Sequence, residues 1–369
     1  MKVLVLGASG VMGRRAAAEL ARAAEVTSLV LSARDARAEQ LAEILGGIKE
    51  NISHLQLDVT DRPALQAAMR NVDVVVSCAG PFYLHEVDCV RAAIDTATHY
   101  VSLCDDHVVI DRVVAQDAAA RDAGITVVSG CGVSPGITNF LVAQAAQELD
   151  AVDEIELALA GSSADRSGPA TVLHFIVQMS ADATFISDYS NDRVPGATAP
   201  KLVYFPEPVG WVETFRCGHP EMTTLPLVHG DLRTLRYRAG LTERAAMDVL
   251  RASLATGLLS TEQNRRLWLK LSNPVRPLLE SMPPRGAAWT GLRVDVHGQT
   301  NGRPRTVSFG VVDRLANLAT IPLALAAVDV TKERGRGVRS PEQVFDPKRY
   351  LKSLIARGIR IARLEAQQI

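Results

Sequence analysis

The sequence lacks the patterns that mark a zinc site or a disulfide framework. Its five cysteines, at positions 78, 89, 104, 131 and 217, form no C-x-x-C pair and are odd in number. No two histidines follow the H-x-x-x-H or H-E-x-x-H spacing that places two ligands on one face of a helix. We therefore predict no metal ion, and this use of cysteine favours a reducing cytoplasm.

The sequence also lacks an excess of charge and a long apolar segment. The formal net charge of −1 gives no general attraction to nucleic acid or to anionic lipid. The apolar stretch from Leu315 to Val328 is too short to cross a bilayer. The run from Val3 to Leu6 is too short for a signal peptide. We predict a soluble cytoplasmic enzyme with a small-molecule substrate and with neither a nucleic-acid nor a membrane partner.

What the sequence does hold, at its start, is an apolar run that leads into three glycines. Val3 to Leu6 precedes Gly7, Gly10 and Gly13, and an alanine-rich segment follows. This order predicts a strand, a tight turn and a helix whose free N–H groups favour an anion, the arrangement that holds a dinucleotide pyrophosphate. The spacing G-x-x-G-x-x-G is looser than the usual G-x-G-x-x-G. The predicted cofactor-binding turn comprises Gly7, Ala8, Ser9, Gly10, Val11, Met12 and Gly13.

Strand-like and helix-like segments alternate through the first third of the chain. Val72 to Ser77 is apolar on both faces, as is typical of a parallel strand covered by helices. A single helix is predicted from Val108 to Ala123. The alternation predicts an α/β fold with an N-terminal, Rossmann-like, doubly wound parallel sheet. Ligands of such a sheet lie beyond the carboxyl ends of its strands.

The residues at the end of the second predicted strand bear on the choice of cofactor. Ser32 and Arg34 lie about twenty residues beyond the glycine turn, where an acid would hold the ribose of NAD and an arginine the 2′-phosphate of NADP. Arg34 comes first and Arg37 lies close by, so we predict NADP, with NAD as the alternative. Asp35 counts against this choice, although it is also a candidate N-cap for the next helix.

Two later segments are predicted to contact the cofactor. Asp58 and Val59 end the third predicted strand and would meet the adenine; alternatively, Asp58 is an acid at the start of the next helix. Small residues and a proline follow the fourth strand and would let the backbone pass close to a flat ring. These residues are Cys78, Ala79, Gly80 and Pro81.

The sequence resembles the saccharopine dehydrogenase-like reductases in several stretches. They include GASGVMG, VVSCAGPFY and HYVSLCDD in the first third, and GCGVSPGITNFLV from Gly130 to Val142. The resemblance implies that Cys78 to Pro81 lies along the nicotinamide, and that the turn at Pro135 and Gly136 closes over the same pocket. Members of the family often carry an acid where this chain has Ser102.

From about Ala151 the pattern changes to that of a second domain. Val203 to Phe215 is strand-like but broken by two prolines, and two alternating segments flank Asn301-Gly302 as in a hairpin. We predict an α+β domain with a mostly antiparallel sheet at residues 137–313, for substrate binding or for homodimer formation. Residues 1–136 would form the dinucleotide-binding domain, completed by helices within 314–369.

Hydride transfer requires the acceptor carbon near the nicotinamide and one group that moves a proton. The candidates are Asp105 and Asp106, of which at most one would face the pocket, and His99. A helix cap for one aspartate and a structural role for His99 are the alternatives.

The substrate would contact Tyr83, and a substrate carboxylate would meet an arginine of the second domain. Arg216 and Arg236 are candidates, although each is also explained as a solvated strand residue.

The resemblance implies chemistry at a C–N bond, in which an imine is reduced to a secondary amine or the reverse. The predicted function is that of an NADP-dependent oxidoreductase acting on an amino-acid- or polyamine-derived substrate. Two alternatives share the fold: a C=C (enoyl) or quinone reductase, which needs no carboxylate-binding arginine, and a non-catalytic dinucleotide sensor.

Overall fold

The chain divides into two units in the computed structural model, which describes residues 1–165, 168–272 and 288–365. The first unit comprises Met1–Asn139 and Ala316–Tyr350, and the second comprises Phe140–Leu315 and Leu351–Ile369. Within the described ranges, no helix is long and apolar enough to cross a bilayer.

A parallel sheet forms the centre of the first unit. Its strands are β1 (Lys2–Leu6), β2 (Ser28–Ala33), β3 (Ile52–Gln56), β4 (Val74–Ser77), β5 (His99–Ser102), β6 (Thr126–Ser129) and β15 (Gly337–Arg339). They stand in the order β15-β6-β5-β4-β1-β2-β3. Every neighbouring pair is parallel. The apolar residues of β1 and β4 are fully buried, as a doubly wound sheet requires. The predicted Rossmann-like sheet is thus confirmed.

Helices connect these strands. They are α1 (Val11–Arg22), α2 (Arg37–Gly46), α3 (Arg62–Met69), α4 (Phe82–Asp95), α5 (His107–Val114), α6 (Asp117–Asp122) and, after β6, α7 (Ile137–Ala146). The single helix predicted from Val108 to Ala123 is wrong, because Gln116 adopts φ −88° and ψ 4° and separates two shorter helices.

The second unit contains a mixed, mostly antiparallel sheet. Its strands are β7 (Ala151–Gly161), β8 (Ala183–Ser187), β9 (Ser190–Val194), β10 (Thr198–Phe205), β11 (Gly210–Arg216), β12 (Thr234–Leu241), β13 (Thr290–Thr300), β14 (Arg303–Asp313) and β16 (Arg360–Leu364). The main path is β10-β11-β12-β7-β13-β14-β16, and β8 and β9 branch from β12. Only β7 and β12 pair in parallel among the described strands of this sheet. This confirms the predicted sheet type, and the Asn301-Gly302 hairpin joins β13 to β14 as expected.

The helices of the second unit are α8 (Pro169–Ser180), α9 (Glu221–Thr224), α10 (Pro226–His229), α11 (Arg244–Ala255) and α12 (Glu262–Ser272). The strand-like segment from Val203 to Phe215, predicted to be broken by two prolines, contains the turn of a hairpin formed by β10 and β11. Prolines at 206 and 208 lack the N–H that a continuous strand would need, and the chain turns there, with Val209 N donating to the Pro206 carbonyl (3.1 Å).

The C-terminal segment differs from its predicted place. After α13 (Leu315–Asp329), β15, α14 (Pro341–Val344) and α15 (Pro347–Ala356), the chain ends in β16. β16 pairs with β14, so residues from Leu351 onward belong to the second unit. Of the helices within 314–369 that were predicted to complete the first domain, those up to Tyr350 lie in the first unit, and the chain from Leu351 onward does not. In addition, β15 supplies a seventh strand to the first sheet that the sequence analysis missed.

Candidate active site

The glycine turn after β1 is built so tightly that two of its positions admit no side chain. Gly7 adopts φ +73°, and a Cβ there would lie 2.8 Å from the Cys78 carbonyl oxygen. A Cβ at Gly13 would lie only 2.1 Å from the Gly7 carbonyl oxygen. At Gly10 the nearest atom would be 3.3 Å away. The turn therefore brings the start of α1 against β1, with the Cys78 segment beside it.

The start of α1 is suited to binding an anion. Gly10 is the N-cap, no side chain caps the helix within the described part of the chain, and its first turn holds no acidic residue. The free N–H groups and the helix dipole therefore leave a positive potential at the turn. Arg14 adds a positive charge here, and its Nε donates to the Ser9 carbonyl (3.0 Å). These features fit a pyrophosphate.

An exposed arginine, Arg34, follows β2 directly, and the next residue is an acid that pairs with Arg37. Arg34 is exposed, and its carbonyl accepts from Gln56 Nε2 (3.0 Å). Asp35 accepts from Arg37 through Nε (2.9 Å) and Nη2 (2.5 Å), and this contact lowers the pKa of the Asp35 carboxyl. Asp35 lies one residue before the N-cap Ala36, and its Oδ1 accepts from Arg37 N (3.2 Å) at the first residue of α2. The negative charge of Asp35, which counted against NADP, is thus balanced by the positive charge of Arg37.

Ser32 has a structural position. Its hydroxyl is buried and donates to the Val5 carbonyl (3.0 Å), while its own carbonyl accepts from Ala8 N (2.8 Å). These bonds tie β2 to β1 and to the glycine turn. The prediction that Ser32 contacts the cofactor is not supported, because its polar atoms serve the backbone.

Asp58 and Val59 lie just beyond β3, at the carboxyl edge of the sheet. Asp58 Oδ1 accepts from Thr60 through N (2.9 Å) and Oγ1 (2.8 Å), which lowers the pKa of the Asp58 carboxyl. The cap of α3 is Asp61, which accepts from Ala64 N (3.1 Å). Because Asp61 is the N-cap, both readings of Asp58, an adenine contact and an acid near the start of this helix, stay predictions.

The segment Cys78–Pro81 follows β4 and is half-buried. Cys78 N donates to the Leu6 carbonyl (2.9 Å), which holds the segment against the glycine turn. Burial raises the pKa of the Cys78 thiol to about 12, so this group is neutral and is no nucleophile at neutral pH. The structure thus brings together two of the segments predicted to contact the cofactor.

The turn at Pro135 and Gly136 lies after β6 and is fully buried. Gly136 adopts φ +128°, and a Cβ there would lie 2.1 Å from the Gly132 carbonyl oxygen. Its N donates to Asn139 Oδ1 (2.9 Å). A Cβ at Gly130 would meet both Pro135 and the Cys104 carbonyl oxygen, so this turn lies beside the loop that follows β5.

The two aspartates after β5 have different surroundings. Asp106 is buried, and its carboxylate accepts from Tyr83 N (2.8 Å) at the start of α4. It therefore caps α4, although it is the N-cap residue of α5 in sequence. Asp105 is half-buried. The two aspartates thus differ in burial, and Asp106 is bound to the start of α4.

His99 does not join the other candidates. It is the first residue of β5, and its Nδ1 accepts from Thr126 N (3.0 Å). The amino ends of parallel strands lie at the opposite edge from the glycine turn. Burial lowers the pKa of His99, which keeps its ring neutral. The prediction of a catalytic His99 is therefore not supported, because the group lies at the wrong edge of the sheet.

A buried carboxylate that the sequence analysis missed lies under the same carboxyl edge. Glu86, in α4, accepts from Tyr100 OH (2.8 Å), Ser102 Oγ (2.5 Å) and Ser129 Oγ (2.8 Å). Burial raises the pKa of Glu86. Ser102, at the position where the resemblance implied an acid, instead donates to Glu86. The spacing in the sequence could have predicted this burial, because Glu86 stands four residues after the buried Phe82, on the apolar face of α4.

We expect Glu86→Gln to change how stability depends on pH. Because the folded state holds the Glu86 proton that the unfolded state releases, the wild type loses about 1.4 kcal/mol of stability per pH unit between the unfolded and folded pKa values, starting near pH 4.5. The neutral glutamine has no such slope. Urea unfolding at pH 5 and pH 7 measures the difference, and Asp88→Asn, an exposed acid on the same helix, is the control. Equal slopes in wild type and Glu86→Gln would contradict the expectation.

The second unit holds a buried histidine–carboxylate pair to which the sequence analysis assigned no chemistry. His219 Nδ1 and Glu221 Oε2 are in contact, and both side chains are buried. The His219 ring stacks on Tyr237, with centroids 3.9 Å apart and planes within 8° of parallel. His174 from α8 approaches its edge at 6.4 Å. Sequence spacing alone could not bring these residues together, since they come from α8, from α9 and the loop before it, and from β12.

The predicted substrate arginines lie on the other face of this sheet. Arg236 alternates with Leu235 and Tyr237 along β12, so it projects away from the His219–Tyr237 stack. Arg216, at the end of β11, pairs with Arg238 and shares that face. The structure therefore separates Arg216 and Arg236 from the buried histidine.

Two family models match the chain. Residues 3–128 match the saccharopine dehydrogenase NADP binding domain, and residues 132–359 match the saccharopine dehydrogenase C-terminal domain. The first range contains the glycine turn and the Arg34 segment.

Individual relatives are distant. A lipid droplet localized protein of Caenorhabditis elegans is 25% identical over 195 residues, which are 49% of this chain and 46% of that protein. A saccharopine dehydrogenase [NADP(+), L-glutamate-forming] of Pyricularia oryzae is 30% identical over 113 residues, 31% of this chain and 24% of that protein. The matched region therefore spans less than half the length of either curated relative.

A solved structure shares the fold over the whole chain. Apo saccharopine dehydrogenase (L-Glu forming) from Saccharomyces cerevisiae aligns with a TM-score of 0.69 at 18% identity, covering 99% of this chain and 100% of that one. At this identity the likeness shows the fold alone.

Proposed function

The chain belongs to the saccharopine dehydrogenase family, and from that membership we propose that it is an oxidoreductase that transfers a hydride between NADP(H) and an imine or secondary amine. The substrate class we propose is an amino-acid- or polyamine-derived compound. The observation that carries the proposal is the glycine turn with the exposed Arg34 beside it, in a unit that matches the family's NADP-binding domain.

NADP, when bound, supplies or accepts the hydride. The N–H groups at the start of α1 would hold its pyrophosphate, and Arg34 would pair with its 2′-phosphate. The backbone of Cys78–Pro81 would pass along the nicotinamide, since it lies at the carboxyl edge beside the turn. These residues position the cofactor, and they leave the proton to a separate group.

We assign the proton to Asp105. An imine nitrogen gains a proton as its carbon gains the hydride, and the reverse reaction returns both. Asp105 follows β5 at the carboxyl edge and is half-buried, whereas Asp106 is buried and its carboxylate accepts from Tyr83 N. Asp106 is therefore assigned a positioning role at the start of α4.

We expect Asp105→Asn to lower kcat for NADPH-dependent imine reduction by about a hundredfold, the usual contribution of a general acid. NADPH affinity should stay within about twofold, because the carboxylate lies outside the phosphate-binding turn. The assay is the loss of NADPH absorbance with imines formed from α-amino acids or polyamines and aldehydes. Asp106→Ala is the comparison, and there we expect a lower Tm from the lost cap.

Three results would contradict the proposal in different ways. Full activity of Asp105→Asn would remove this residue from the mechanism. Turnover of an enoyl or quinone substrate but of no imine would replace the substrate class. Tight NADPH binding without turnover of any of these substrates would favour a dinucleotide-sensing protein.

We infer a cytoplasmic location from the cysteines, all of which are free thiols. The homodimer predicted from the sheet of the second domain stays a prediction, and sedimentation of the purified chain measures it.

A further inference from the structure

One edge of β12 carries a break in its strand pairing. β11 pairs with β12 at Ala239 and Arg238, whereas β8 pairs with it at Leu235 and Thr234. Between these two ladders lies Arg236, on the sheet face away from the His219–Tyr237 stack. We call this place the β12 notch and define it by Arg216, Arg236 and Arg238.

The three arginines of the β12 notch have unequal partners. Arg238 is buried, and its Nη1 donates to the carbonyls of Ala199 (2.7 Å) and Thr214 (3.3 Å). The guanidinium carbon of Arg216 lies over the Phe185 ring, 4.3 Å from the centroid. Arg238 therefore has a structural role, whereas Arg216 packs on an aromatic ring that provides no hydrogen-bond acceptor.

Two donors of the β12 notch lack an acceptor in the part of the chain that the structure describes. Nε of Arg216 and Nε of Arg236 are both buried without a hydrogen-bond partner among the described residues. A buried donor left without a partner costs about 1–3 kcal/mol, and more when it belongs to a charged group. Two such donors on neighbouring arginines indicate a missing acceptor.

The balance of charges at the β12 notch also indicates a missing acceptor. Arg216 stands directly opposite Arg238 across the strand pair, which is unfavourable for like charges. Glu156 is shared between Arg236 (3.4 Å) and Lys201 (3.1 Å). Burial lowers the pKa of Arg216, and the nearby Arg236 lowers it further. The cations are Arg216, Arg236, Arg238 and Lys201, and the carboxylates that face them are Glu156 and Asp192.

We propose that the β12 notch is a binding site for a small oxyanion, specifically a carboxylate, held by Arg216 and Arg236. A guanidinium offers Nε and Nη as a planar fork that matches the two oxygens of a carboxylate. Such a ligand supplies acceptors to both unpaired Nε atoms and separates the like charges. This proposal goes beyond the proposed hydride transfer and does not depend on it, since binding is measured without NADP and without turnover.

The experiment is isothermal titration of the full chain with glutarate at low ionic strength, with inorganic phosphate as a second probe. We expect Arg216→Gln and Arg236→Gln each to weaken glutarate binding about tenfold, because each removes one charge-assisted pair. Arg233→Gln, on the same stretch of chain but paired with Glu154, should leave binding unchanged. Far-UV circular dichroism and Tm confirm that each variant folds.

Glu156→Gln provides a test of opposite sign. It removes a carboxylate that competes for Arg236, so we expect glutarate to bind about threefold tighter or more. A purely structural arginine cluster would instead lose stability in this variant without any gain in glutarate affinity.

Four results would overturn the proposal. The first would be that glutarate does not bind the wild type at millimolar concentration. The second would be that glutarate binds Arg216→Gln and Arg236→Gln as tightly as it binds the wild type. Phosphate binds more tightly than glutarate at the same two arginines, which would replace the ligand class. Alternatively, sedimentation shows that Arg216→Gln turns a dimer into a monomer while the wild type binds no probe, which would assign the missing acceptor to a second copy of the chain.

Discussion

Gly13→Ala is expected to weaken NADPH binding about a hundredfold, because overpacking a fixed backbone contact costs up to about 3 kcal/mol. The added Cβ would lie 2.1 Å from the Gly7 carbonyl oxygen and 2.8 Å from the Ala8 Cα. Both are backbone atoms, so the turn itself must move, and with it the N–H groups of α1. Fluorescence titration with NADPH measures the loss.

Two further alanine variants give a graded series for this prediction. At Gly10 a Cβ would meet only the Gly7 carbonyl oxygen at 3.3 Å, so we expect a smaller loss of affinity. At Gly46, in α2, a Cβ would meet nothing within 4 Å, and we expect unchanged affinity with a slightly raised Tm. A Gly13→Ala protein that folds and binds NADPH like the wild type would show that the turn is not the pyrophosphate site.

Arg34→Ala is expected to weaken NADPH binding by about thirtyfold to a hundredfold and to leave NADH binding unchanged, because a charge-assisted bond to a phosphate contributes about 2–3 kcal/mol. The effect follows from the 2′-phosphate, which only NADPH carries. Titration of both dinucleotides into the same protein separates loss of preference from loss of fold.

Arg37→Ala is the matched comparison for Arg34. It also removes one cation near the end of β2, but it releases the Asp35 carboxylate from its bidentate contact. We expect NADPH to bind more weakly and NADH to bind somewhat better, since a freed acid repels the 2′-phosphate and accepts from a ribose hydroxyl. Equal affinities for NADPH in the wild type and in Arg34→Ala would place Arg34 outside the cofactor site.

Much of the first unit was predictable because its signals are local. The apolar run of β1 and the glycines after it lie within eleven consecutive residues, and β-branched strands alternate with helices at regular spacing. The weaker predictions needed partners from elsewhere. Asp58, Asp61 and Asp106 are all of a residue type that commonly caps helices. Only the hydrogen bonds show that Asp61 caps α3 and that Asp106 caps α4.

The second unit was less predictable for a related reason. The prolines between β10 and β11 indicated an interruption, but the pairing of β11 with β12 decided that Arg216 faces Arg238. Period-two alternation predicts that Arg236 and Tyr237 lie on opposite faces. It does not tell which face receives His219, because that residue arrives from a separate segment.

The sequence by itself determined the glycine turn, the parallel sheet behind it and the arginine at the end of β2, because each depends on neighbours in the chain. The tertiary structure decided which charged groups are available. The buried Glu86 accepts hydrogen bonds from hydroxyls of β5 and β6. His99 lies at the opposite edge of the parallel sheet, and Asp35 is paired with Arg37. Whether a charged side chain can bind a ligand depends on the hydrogen-bond partners that folding brings to it from distant segments. Those partners cannot be predicted from the neighbouring sequence.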